Sequence, residues 1–380
     1  MQTISKGLEG VVAARTAICD VQGEAGRLIY RGYEIEDLAE HASFEEVCHL
    51  LWLGELPTRV ELRDLSERLA TSRPLDQSSY DVLNVVTSTA HPMDALRTGI
   101  SALGCTDPDA ASTDAEATLR TAIRATSQAA TMTAAIFRFR NGQQPVAPRL
   151  DLGHAASFLY MLRGEVPDPA EARALDAAFT LHAEHSLNAS TFSARVTVAT
   201  LADLYAGVTS AIGTLKGPLH GGANQGVMEM LLEIGSPDRA ESWVRSTLDA
   251  GGKIAGFGHR VYRTLDPRAP ILKRLAERLG GPARDTRWLA ISERIQTAMR
   301  EEMSRRGKKV HPNVDFFSAS LYYTLGIPID MFTNIFACAR MPGWTAHIRE
   351  QFADNRLIRP AADYVGETGR SVQPIEERGS

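Results

Sequence analysis

At 380 residues, 44% hydrophobic and 23% charged, the chain has the composition of a globular protein large enough for two domains and a substantial core. A formal charge of -5 and an isoelectric point near 6.1 exclude a dedicated nucleic-acid or polyanion binder, while leaving room for a local basic pocket. No apolar run is long enough to span a bilayer, the first residues lack a signal peptide's apolar segment, and Cys19, Cys48, Cys105 and Cys338 form no CxxC pair, so a cytoplasmic chain with reduced thiols and no membrane partner is expected.

In chain order, residues 18–21 and 28–30 flank Gln22-Gly23-Glu24-Ala25-Gly26 and predict a small hairpin. Beyond Gly32 helical signals dominate. Ser43-Phe44-Glu45-Glu46 is a capping box ahead of Val47, Leu50 and Leu51, with stop signals at Gly54 and Pro57. Residues 106–115 read as an exposed polar loop. The alanine-rich run 121–137 reads as a helix, suited either to close packing or simply to high helix propensity. Further helices are predicted over 155–162 and, after the Pro167-Asp168-Pro169 break, over 170–182. Asp285 is placed to cap a helix carrying Trp288, Ile291, Ile295, Met299 and Met303 on one stripe. Strand-like alternation is rare beyond the hairpin and no βαβ rhythm appears, so the chain is read as mostly α.

Several polar residues stand out against that background. His182-Ala183-Glu184-His185 sets two histidines one turn apart, but ligands at zinc spacing are missing and no metal is expected; one histidine should face a cleft while the other packs. Lys216 to His259 places His220 and His259 each beside a cluster of glycines, with Val227, Met230, Leu231 and Ile234 predicting a helix that starts just after His220. A histidine at a helix N-terminus tends to stay neutral and can donate to a developing oxyanion. Arg268 follows the stiff turn Asp266-Pro267 and should reach towards His259. Asp315 stands at a helix start, either as a cap or as a carboxylate base beside Phe316 and Phe317. Arg340 and Arg359 complete a set of arginines that, converging with the histidines, suits a substrate bearing two carboxylates.

Three stretches carry a resemblance: Pro218-Leu219-His220-Gly221-Gly222-Ala223-Asn224, Gly256-Phe257-Gly258-His259-Arg260-Val261-Tyr262 and Pro312-Asn313-Val314-Asp315-Phe316-Phe317. In this order and spacing the chain resembles the citrate synthase family, 2-methylcitrate synthases included. The likeness runs from Gly7 through Tyr30-Arg31-Gly32-Tyr33 and His91-Pro92-Met93-Asp94 to the C-terminal arginines. Glu184 and Ser186 depart from the Asp and Glu of some relatives, which leaves the surroundings of the neighbouring histidine open.

The resemblance implies a citrate synthase that condenses acetyl-CoA with oxaloacetate and hydrolyses the thioester, or a 2-methylcitrate synthase using propionyl-CoA. A non-catalytic regulator binding CoA or a metabolite is the alternative from another class. By resemblance, Asp315 takes the proton, His220 stabilises the enol and His259 polarises the ketone. His185, Arg268, Arg340 and Arg359 bind oxaloacetate, with Arg359 entering the partner's site in a homodimer. Lys253, Ile254, Ala255, Gly256, Phe257 and Gly258, with Asn313, receive CoA, and Arg305-Arg306-Gly307-Lys308-Lys309 is either a contact for its phosphates or a solvated turn. No tightly bound cofactor is implied; acyl-CoA is a co-substrate. The family fold implies an all-α, two-domain helical architecture with a small N-terminal hairpin: a large domain of 1–217 and 321–380, and a small domain of 218–320.

Overall fold

The computed structural model describes residues 5–259, 261–279 and 286–378. The expected hairpin forms first: β1 (Cys19–Gln22) pairs antiparallel with β2 (Arg27–Tyr30), Cys19 opposite Tyr30 and Gln22 opposite Arg27. A third strand, β3 (Tyr33–Glu34), adds to β2. Everything regular after it is helical among the described residues. In order these are α1 (Ile35–His41), α2 (Phe44–Leu53), α3 (Arg59–Thr71), α4 (Gln77–Thr87), α5 (Pro92–Leu103), α6 (Ala115–Arg140), α7 (His154–Arg163) and α8 (Pro169–His182). There follow α9 (Ala189–Val198), α10 (Leu204–Leu215), α11 (Ala223–Ile234), α12 (Pro237–Asp249), α13 (Arg268–Leu279), α14 (Arg287–Arg305), α15 (Val314–Thr324) and α16 (Phe332–Ala353). The fold is all-α with a three-stranded sheet at its N-terminal end.

Local chemistry explains the boundaries. Ser43 Oγ accepts from the Glu46 N–H and the Glu46 carboxylate returns to the Ser43 N–H, starting α2, which Gly54 ends at φ 97°. Asp168 caps α8, and Pro169 fills a first-turn position where its missing N–H costs nothing. The polar loop before α6 is exposed along most of its length, but Arg124 and Tyr205 bind Asp107 and Arg120 binds Asp109, so it is tied down by charge. The expected cap Asp285 lies outside the described residues; Thr286 precedes α14 and makes no side-chain cap bond.

The alanine-rich helix is interior. Residues such as Ala122, Ala125, Ala129 and Ala134 of α6 are buried, and small side chains let α6 and α16 lie close together. Helices α5, α9 and α10 pack around that pair, while α11 to α15 pack mainly on one another, α13 beside α15 and α12 beside α14. Contacts of α11 with α16, and of α13 with α8 and α1, join the two groups. The expected boundary after Ser320 falls inside α15. No described helix is long and apolar enough to cross a membrane.

Candidate active site

The site lies where the end of α8, the segment before α11, the loop before α13, the start of α15 and the middle of α16 come together. Its backbone frame is set by the glycine-rich loop. Asn313 N–H donates to the Gly256 carbonyl at 2.9 Å and Gly258 N–H to the His311 carbonyl at 3.0 Å, so residues 256–258 are clipped to the approach to α15. Asn313, and not Asp315, caps α15: its Oδ1 accepts the Asp315 N–H at 3.0 Å, and its Nδ2 donates to the Gly258 carbonyl at 2.9 Å. Both polar ends of Asn313 therefore already bond within the protein. Gly256 backs onto Phe316 and Val227, Ile254 is buried, and Lys253 and Gly258 are exposed with Ala255 and Phe257 between those extremes.

Relieved of capping, the Asp315 carboxylate has no hydrogen-bond partner among the described residues and is half-buried. Loss of hydration raises its pKa to about 7; Asp266 adds to the rise, while Arg268 and Arg340 oppose it. Asp266 fixes this corner. It accepts from Arg268 Nε at 2.9 Å and Nη2 at 2.8 Å, and from the Val314 N–H at 3.2 Å, tying the first residues of α13 and α15 to one buried carboxylate. Arg268 Nη1 remains uncommitted among the described residues.

Each histidine is held neutral by its surroundings. His259 Nδ1 accepts the N–H of Val261 at 3.0 Å and of Tyr262 at 3.1 Å, so the ring proton sits on Nε2, which is free to donate. Burial, then Arg268, lowers its pKa to about 4. The His185 ring lies tilted, 5.4 Å from that of His259, and its Nε2 is buried without a partner among the described residues; burial, followed by Arg268 and Arg340, holds its pKa well below the usual imidazole range. His220 precedes α11, whose N-cap is Gly222. Burial and then Arg340 lower its pKa to about 4, in the direction of the neutral ring expected from its position. Its Nε2 lies 2.8 Å from Ser190 Oγ, and Trp344 Nε1 donates to the same hydroxyl at 3.1 Å.

Arg340 is buried with its Nε donating to the His182 carbonyl at 2.5 Å and its guanidinium 4.9 Å above Phe336. Phe336 also meets the rings of His182 and His220, at 5.1 and 6.5 Å. The two histidines of the 182–185 pair have separate surroundings: the Nδ1–H of His182 donates to the Ala178 carbonyl at 2.8 Å, packing that ring, while His185 faces His259. Glu184 is wholly buried and accepts from His347 Nε2 at 2.9 Å; Arg195 Nη1 donates to His347 Nδ1 at 3.1 Å. Arg359 alone of the expected set is elsewhere, on the exposed stretch without regular secondary structure beyond α16. In the basic turn, Arg305 and Arg306 pair with Glu302 and Asp249, and Lys308 and Lys309 are exposed. Ser190, Asp266, Phe336 and Trp344 were not singled out by sequence for the site; only Asp266, adjoining Arg268 in a Pro-stiffened turn, carried a local signal.

Two buried guanidiniums, three neutral histidines and a carboxylate of raised basicity make an anion-receiving, acid–base site on an all-α scaffold. A family profile described as citrate synthase, C-terminal domain, matches residues 7–361. The chain is 50% identical to Citrate synthase 2 of Bacillus subtilis (strain 168), over 99% of this chain and 100% of that one. It is 47% identical to a 2-methylcitrate synthase of Mycobacterium tuberculosis, over 97% of this chain and 92% of the relative. A solved ternary complex of carboxymethyl coenzyme A and oxaloacetate with citrate synthase from the archaeon Thermoplasma acidophilum superposes at TM-score 0.92, with 32% identity and full coverage of both chains. The chain belongs to the citrate synthase family.

Proposed function

We propose that this chain is a citrate synthase, condensing acetyl-CoA with oxaloacetate and water to citrate and CoA. The observation that carries the reading is the coupling of one raised carboxylate, Asp315, to Arg268 and Arg340, beside histidines whose burial keeps them neutral. The methyl carbon next to a thioester is too weak an acid for a carboxylate acting alone. Removing its proton needs a base of raised pKa together with a donor on the developing enolate oxygen. Asp315 supplies the base and His220 the donor. His259, with its proton on Nε2, polarises the ketone that the enol attacks. The carboxylates of oxaloacetate fall to Arg268 Nη1, the terminal nitrogens of Arg340, His185 Nε2, and Arg359 from a second subunit.

CoA is received along residues 253–258 near Asn313, where Lys253 and Gly258 are exposed. The steps are proton transfers, carbon–carbon bond formation and hydrolysis, and the acyl-CoA is consumed as a substrate. The molecule works as a cytoplasmic homodimer in which α11 to α15 form a small domain running from residue 218 to the turn at 325–328. Oxaloacetate closes that domain on the large one before the acyl-CoA reacts, keeping water from the thioester until condensation.

Free-thiol release by the pure protein with oxaloacetate, comparing kcat/KM for acetyl-CoA and propionyl-CoA, tests the reading. Preference for acetyl-CoA is expected. Preference for propionyl-CoA would move the assignment to 2-methylcitrate synthase, a distinction of one methylene that a hydrophobic pocket makes by only about 1–3 kcal/mol. Folded protein releasing no thiol with either would sink the enzyme and leave a CoA- or metabolite-binding regulator.

A further inference from the structure

The N-terminal hairpin touches both ends of the oxaloacetate pocket, although it lies more than 150 residues away in sequence from His185 and more than 220 from His259. Its turn presses on the segment after His259. The Arg263 N–H donates to the Gly23 carbonyl at 3.1 Å. A Cβ on Gly23 would stand 2.4 Å from the Val261 carbonyl oxygen, and one on Gly26 would stand 2.7 Å from Thr264 Cγ2, so only glycine permits this approach. Val261 and Tyr262 are the residues whose N–H groups bond His259 Nδ1. At its base the hairpin holds the other histidine's support. The buried Tyr30 hydroxyl donates to the Glu184 carbonyl at 2.8 Å and accepts the Glu184 N–H at 3.1 Å, one residue before His185.

We infer that the β1–β2 hairpin is the clamp that positions His259 and His185 for oxaloacetate, through Gly23 on the 261–263 backbone and Tyr30 on the Glu184 backbone. The inference rests on the proposed function for its substrate, while the geometry it invokes does not. The hydrogen bond that the Arg263 N–H donates to the hairpin's own backbone sets where residue 263 lies. That placement keeps two N–H groups aimed at one ring nitrogen, which fixes the tautomer of His259 and directs its remaining N–H into the cleft. The groups around His259 are Arg268 and Asp266 at the start of α13, His185 after α8, and Tyr262 on its own loop. The charged members of that set, Arg268 and Asp266, bond each other and the Val314 N–H rather than the hairpin turn. Gly23 and Tyr30 touch no substrate and are positioning residues.

Gly23→Ala and Tyr30→Phe test the two ends of the clamp. Each is expected to raise KM for oxaloacetate by about ten- to a hundredfold, the scale of a small misplacement of a binding group, while KM for acetyl-CoA stays within about twofold. A merely destabilised protein would lower kcat through its unfolded fraction and leave both KM values alone. The nitrogen NMR spectrum of the ring, identified by its loss in His259→Gln, gives a reading independent of turnover. Nδ1 of the unaltered protein should show as an unprotonated acceptor, and Gly23→Ala should move it towards mixed tautomers. Tyr30→Phe removes one oxygen without changing shape, so it keeps the question open to refutation even where Gly23→Ala fails to fold. Oxaloacetate kinetics and the His259 spectrum unaltered in the folded variants would overturn the clamp. An unaltered protein without thiol release would instead defeat the proposed function, with the ring spectrum still deciding the clamp.

Discussion

Asp315 shows at the scale of one residue how function opposes stability. Its pKa is raised from 3.8 to about 7 by loss of hydration, so the folded state favours the protonated form more than the unfolded chain does. Between about pH 4 and 7 the folded protein binds more protons at this group, and its stability therefore falls as pH rises through that window. Asp315→Asn keeps the shape and removes the charge. Turnover should be abolished, while stability at pH 8 rises by about 1–3 kcal/mol, discounted for the group's partial exposure. Urea midpoints of the two proteins should converge as pH is lowered from 8 towards 4; a gap independent of pH would show that the carboxylate is not strained by burial. The sequence allowed Asp315 to be either cap or base. The choice depends on Asn313 two residues earlier, whose side chain takes the capping bond, and nothing in the local pattern ranks one cap above the other.

At the scale of elements, α16 shows why some of the fold was hidden in the sequence. Pro342-Gly343 is ordinarily a stop signal, since proline lacks an N–H and glycine costs helix propensity, yet α16 runs through both. Tertiary packing overrides the local preference. Arg340, Gly343 and His347 lie on one stripe of the helix, and Glu184 is laid along it: a Cβ on Gly343 would stand 2.2 Å from both the Ala183 carbonyl oxygen and Glu184 Oε2. Overpacking there should make Gly343→Ala less stable by about 1–3 kcal/mol, seen as a lower urea midpoint at constant slope. An unchanged midpoint would mean that Glu184 can move aside at little cost. The capping box of α2, the stripe of α14 and the buried face of α11 were legible because side-chain spacing alone defines them. The hydroxyl of Ser190 shared by His220 and Trp344, and the Glu184–His347 pair, join residues far apart in sequence, where no periodicity operates.

For the whole molecule, the motifs around His220, His259 and Asp315 were legible and the structure brings their surroundings together, whereas Arg359 lies apart from them within the chain. It sits on an exposed stretch after α16 without regular secondary structure, where Leu357, Tyr364, Val365 and Val372 are exposed as well. This exposed charge and apolar surface is what a second copy, as proposed, would cover. If Arg359 enters the partner's site, each site draws Asp315 from one subunit and Arg359 from the other. Arg359→Ala homodimers should then bind oxaloacetate poorly, and Asp315→Asn homodimers should be inactive. In a hybrid of the two variants, one site combines both lesions and the other combines neither. Dissociating and reassociating an equal mixture at random should therefore restore about a quarter of the unaltered activity, because half the dimers are hybrids and each has one intact site. Were Arg359 to serve its own chain, every site in the hybrid would keep one lesion, and mixing would restore nothing.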